Sequence, residues 1–181
     1  MIGRRILLRL PFLAVVVSLA VSAVPSFGQK ASAPTGILNR DSVAPFVPPS
    51  VFYRGQVAPT QARNAAGYKF ADGKVFVATL VDTSGYSSAI QQTYQGYLIL
   101  EVPLSFAGKT LPAGAYGFGF IAGDRMVVMD LGSTEILSTS TTSDAALARP
   151  NPLQILPDPA SAKSFRLYLG RSYVTIAPAS K

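Results

Sequence analysis

Hydrophobic and polar positions alternate with a period of two over much of the chain, and turn residues break that alternation at short intervals. Phe165, Leu167 and Leu169 alternate with Ser164, Arg166 and Tyr168; after Gly170-Arg171, Val174 and Ile176 oppose Tyr173 and Thr175. This is the pattern of a hairpin with one apolar and one wet face. Tyr68–Ala71 leads through Asp72-Gly73, a turn pair that favours positive φ, into Lys74–Asp82. There Val75, Val77 and Val81 share one face while Phe76, Ala78 and Leu80 share the other, so the strand is apolar on both sides. Gly96–Val102 and Arg125–Leu131 repeat that two-sided character. Ala115–Ile121, Arg125–Leu131 and Thr134–Thr139 read as three consecutive antiparallel strands, and prolines at both ends make Leu153–Leu156 an edge strand.

Helix is expected only in short pieces: a turn over Thr60–Ala66 ended by Gly67, and a helix starting at Ser143, an N-cap type residue, and stopping before Pro150. The pattern predicts an all-β domain over 51–178, a single antiparallel β-sandwich or small barrel of about eight to ten strands with one or two short helices. Ahead of it, residues 29–50 are rich in Pro, Ala and Ser and read as a leader, with a short strand at Ile37–Arg40.

Residues 1–28 have a different character. Arg4, Arg5 and Arg9 precede an apolar run from Leu10 to Val21, the arrangement of a secretory signal peptide and too short for a span of about 20 residues. Small residues allow cleavage after Ala23 or after Gly28. Export to the periplasm or the extracellular space is the expectation, with membrane contact only through this segment if it is uncleaved. Its removal changes the charge picture: 13 Lys and Arg then stand against 9 Asp and Glu, a net charge of +4 rather than +7. The remaining cations are scattered singly, without the clustered stripe a nucleic-acid surface needs.

Composition narrows the chemistry further. Of 181 residues 49% are hydrophobic and 14% charged, which favours a packed core, and Cys, His and Trp are absent. Disulfides, thiol nucleophiles, imidazole bases and the usual transition-metal ligands are therefore excluded. No cofactor is implied. No calcium-loop motif, S-x-x-K pair or G-x-S-x-G elbow occurs. Glu101, Asp130 and Glu135 would serve a two-carboxylate glycan hydrolase only if the fold brought them together.

Two segments stand out as candidate ligand sites. In Tyr116-Gly117-Phe118-Gly119-Phe120, strand period puts three aromatics on one face and two glycines on the other, leaving bare backbone for a close neighbour, a bend or a flat ligand. The bland reading is core filling and sheet coiling. Tyr86, Tyr94 and Tyr97, with Gln91, Gln92 and Gln95, supply amphipathic groups that suit either a recognition loop or the rim of a core. The six consecutive hydroxyl residues Ser138–Ser143 need no role beyond a strand end and cap.

Leu111-Pro112-Ala113-Gly114-Ala115-Tyr116 resembles the L-P-A-G-x-Y strand entry of secreted bacterial β-sandwich domains, including uncharacterised ones. The match covers six residues and implies an antiparallel β-domain and no activity. Together these features point to an exported, non-catalytic binding or structural module of the envelope or extracellular space. Its partner would be a protein or an envelope polymer, self-association included, because surplus apolar faces must be covered by a second sheet or another chain. The alternatives are a lipocalin-like barrel with Phe118, Phe120, Val128 and Leu98 lining an apolar lumen, and the carboxylate hydrolase.

Overall fold

A computed structural model describes residues 35–179; the expected signal peptide lies outside them. The chain forms β1 (Gly36–Leu38), α1 (Arg40–Val43), a 3-10 turn (Ala44–Phe46), β2 (Ser50–Tyr53), β3 (Gln56–Lys69), β4 (Val75–Val81), α2 (Ser88–Thr93) and β5 (Gly96–Leu100). There follow β6 (Leu104–Phe106), β7 (Lys109–Leu111), β8 (Gly114–Ile121), β9 (Arg125–Met129), β10 (Glu135–Ser140), β11 (Thr142–Ser143), β12 (Leu153–Pro157), β13 (Phe165–Leu169) and β14 (Ser172–Pro178). One sheet runs β1-β3-β4-β5-β8-β9-β10 with β2 on β3; the other runs β12-β13-β14-β6-β7 with β11 on β14, and every pairing is antiparallel. The protein is an all-β sandwich. No sheet closes on itself, so a small barrel is not the architecture.

The two-sided strands explain the layering. Phe76, Ala78, Leu98, Leu100, Phe118, Met126 and Val128 point inward and pack against Leu104, Phe106, Ile155, Phe165, Leu167, Val174 and Ile176 of the second sheet. Their odd-numbered neighbours point outward into a second core: Val81, Tyr97, Val127 and Met129 lie with Val51 and Tyr53 of the β2–β3 hairpin and with Tyr86 and Tyr94. A third cluster sets Val75 and Val77 against Leu38 and Val43. The chain thus covers its own surplus face, and the reason for self-association drawn from that face no longer holds.

Three local expectations are corrected. Thr60–Ala66 is strand, not a helical turn: its backbone pairs with β4 through Thr60↔Val81, Gln61↔Leu80 and Ala65↔Thr79, and ladder pairing overrides the helix preference of Gln, Ala and Arg. No helix starts at Ser143, because Thr142 and Ser143 pair with Tyr173 and Ser172, and the Asp144 N–H donates to the Arg171 carbonyl at 2.9 Å. Part of the expected leader is built into the sandwich. Gly36–Leu38 pairs with Gly67–Lys69, Asn39 Oδ1 accepts from Ser42 N at 2.9 Å to cap α1, and Val43 is fully buried. Val43 sits so close to Gly67 that a Cβ there would lie 2.7 Å from its Cγ2.

Candidate functional site

The glycine face of β8 is filled by the chain itself. A Cβ on Gly117 would lie 2.8 Å from Tyr53 Cε2 and 3.0 Å from Tyr94 Cδ2, and one on Gly119 would lie 2.0 Å from the Thr93 carbonyl oxygen. The glycines let α2 and the β2–β3 hairpin settle directly on the sheet, so no flat ligand has room there. Gln95 locks this contact: its Oε1 accepts from Phe120 N at 2.8 Å and its Nε2 donates to Phe120 O at 3.1 Å. On the opposite face Phe118 is fully buried in the inter-sheet core, with Tyr116 and Phe120 at its border. Leu98 and Val128 pack in the same core rather than around a lumen.

The three tyrosines expected as a recognition loop are also interior. Tyr86, Tyr94 and Tyr97 are 7, 0 and 7% exposed. Tyr94 stacks on Tyr53 with ring centroids 3.8 Å apart, and Tyr86 meets both rings edge-on. The Tyr86 hydroxyl donates to Tyr53 O at 3.0 Å and that of Tyr53 to Met129 Sδ at 3.2 Å, while the Tyr94 hydroxyl has no partner. Burial raises the pKa of all four phenols, Tyr94 furthest. In the strand entry, the Tyr116 hydroxyl folds back to donate to Pro112 O at 3.0 Å, and its ring approaches Gly114 so closely that a Cβ would meet the hydroxyl at 2.6 Å. The motif makes a corner.

The candidate carboxylates are held locally. Glu101 Oε2 accepts from Val75 N and Asp130 Oδ1 from Thr134 N, both at 2.8 Å, and Glu135 is exposed at the start of β10. Among the described residues no three His, Cys, Asp or Glu side chains group as a metal site would require.

The concavity that remains open was not singled out by the sequence pattern. Between the pairs Gln61↔Leu80 and Ala65↔Thr79, β3 holds three residues, Ala62, Arg63 and Asn64, with no opposite number on β4. Such bulges re-aim side chains and interrupt a ladder. Asn64 Nδ2 donates to Gln61 Oε1 at 2.8 Å and fixes the bulge. Opposite it runs β12, which pairs with β13 only. A cleft of about 320 Å³ lies between them, lined by Arg40, Arg63, Asn64, Asn151 and Gln154 with apolar walls from β1 and β12. It continues past the bulge into a hollow of about 590 Å³ along Thr60–Asn64, and Arg40, Arg63 and Asn64 line both.

Two features of β12 stand out beside this cleft. Gln154 Oε1 accepts from Asn151 Nδ2 at 2.9 Å, whereas Gln154 Nε2 is buried without a partner, a donor with a desolvation cost not offset. The Gly170 N–H donates to Pro152 O at 3.1 Å; by the alternation of an antiparallel ladder, the backbone groups of Leu153 and Ile155 then face away from β13. Elsewhere on the surface an apolar groove of about 510 Å³ lies between Phe70, Val102, Pro103 and Pro178. Half of the cleft had a sequence signal, the proline-bracketed edge strand. The bulge had none, since Ala-Arg-Asn carries no turn signature. Compared with known proteins, the chain matches no family model, no curated relative and no solved structure.

Proposed function

We propose that the protein is an exported, non-catalytic binding module whose partner is an extended segment of another protein, held in the cleft between the β3 bulge and the β12 edge. The observation that carries this reading is the unmatched hydrogen-bonding capacity of the β12 edge: the backbone groups of Leu153 and Ile155 that face away from β13. An added peptide chain satisfies groups of this kind, and three carboxamides with both donors and acceptors complement further peptide units. A glycan is favoured less, because no aromatic ring lines the cleft for a sugar to stack on.

Titration of isotope-labelled protein with a degenerate hexapeptide pool tests the reading. Amide shifts are expected at Leu153–Ile155 and Asn64. Shifts there with neutral or uronate oligosaccharides and none with peptides would replace the protein partner by a polymer; silence at the cleft would end the reading. An apolar ligand retains one supporting observation, the surface groove at Phe70, Val102 and Pro178, and native mass spectrometry for a co-purified lipid addresses it.

A further inference from the structure

We infer that the cleft selects a carboxylate on the bound segment, clamped between Arg40 and Arg63; this rests on the peptide-binding reading above. Both arginines line the cleft and its continuation past the bulge, and no Asp or Glu is among the lining residues of either. The ion pairs among the described residues are Lys74–Asp72 and Arg166–Asp158, so neither cleft arginine is paired there. Two like charges are thus brought to one concavity with no internal counter-charge. Each arrives by a separate structural device, Arg40 at the start of the Asn39-capped helix and Arg63 on the bulge.

Guanidinium groups present planar pairs of N–H donors that match a carboxylate. The cleft is rich in donors and poor in negative charge. An acidic side chain or a chain-terminal carboxylate supplies the same group, and the two sources differ in where the backbone runs.

Three degenerate hexapeptide pools separate the outcomes when titrated into labelled protein: one fixed Glu with an amidated end, Gln in its place with a free carboxyl end, and Gln with an amidated end. At least one carboxylate pool is expected to bind about tenfold more tightly than the neutral pool. Which one does so names the source. Arg40→Gln and Arg63→Gln should each remove that preference, and Arg63→Lys should restore only part of it, because Lys keeps the charge without the fork. Equal binding of all three pools would overturn the carboxylate inference while leaving the peptide-binding reading intact. No binding of any pool would overturn both. Because both arginines are exposed, unchanged melting of the variants verifies that a lost preference is not lost folding.

Discussion

The glycine face of β8 and the cleft beside β12 are opposite solutions to the same problem, the covering of exposed sheet backbone. At β8 the chain closes the gap. Glycines remove the side chains, α2 and the β2–β3 hairpin come down onto the strand, and Tyr53 stacks on Tyr94 over Gly117. At β12 it does not: the facing strand bulges by three residues out of its ladder with β4, and Arg63 and Asn64 line the gap that remains. An unusual sequence feature marked the filled place, whereas ordinary residues mark the open one. Scarce side chains on a strand indicate close approach, and in a single chain the nearest thing to approach is the chain itself.

The sharpest way to break this contrast is to put a methyl group into the filled face. In Gly119→Ala the new carbon would lie 2.0 Å from the Thr93 carbonyl oxygen and 2.7 Å from its carbon, backbone atoms that move only if the end of α2 lifts. We expect a loss of about 3 kcal/mol or more in denaturant unfolding. Gly85→Ala, in the connection between β4 and α2 and with its nearest neighbour at 3.9 Å, should stay within about 0.5 kcal/mol of wild type. If both variants behave alike, the close packing at β8 is not what seals that face.

A second test uses the tyrosines that do the sealing. An unfolded tyrosine loses its proton near its ordinary pKa of about 10, while burial keeps Tyr53, Tyr86, Tyr94 and Tyr97 protonated to higher pH in the folded state. Above pH 10 the unfolded chain therefore binds fewer protons than the folded one, and stability falls as pH rises. Below pH 10 these groups leave it unchanged. Each phenol still protonated in the fold adds a slope of about 1.4 kcal/mol per pH unit. Thermal melts across pH 8 to 12 should show a steep alkaline limb. A flat profile would mean the phenols are wet.

Tyr94→Phe sharpens this further. The hydroxyl removed has no hydrogen-bond partner, and the ring keeps its stack on Tyr53. The variant should gain about 1 kcal/mol at neutral pH and show a shallower alkaline limb. A loss of similar size would place an acceptor or a bound water at that hydroxyl.

These contrasts also show how far the sequence could be read. The two-sided apolar runs of β4, β5 and β9, the β8–β9–β10 meander, the β13–β14 hairpin and the edge position of β12 were all legible, because strand period and turn chemistry are local signals. The occupant of the outer face was not, since α2 reaches Gly119 through contacts that only the tertiary fold defines. The same holds for Thr60–Ala66. Its composition suits a helix, and only pairing with Thr79–Val81 makes it a strand. The bulge that shapes the cleft is a mismatch in count between two strands, a property of neither sequence alone. The tyrosines carried their message in type but not in place: amphipathic rings suit a surface and a core rim equally, and pairing of Tyr97 with Gly117 decided for the interior.

The smallest expected effect is on the open side. Arg40 and Arg63 are exposed and in no ion pair among the described residues, so replacing either with Gln breaks no salt bridge and should change stability by less than about 0.5 kcal/mol. This near-neutrality separates a cleft kept for a ligand from a cleft that holds the fold together. If denaturant unfolding showed either variant losing 2 kcal/mol or more, the arginines would be structural props of the β3 bulge, and the positive charge in the cleft would be explained without any partner.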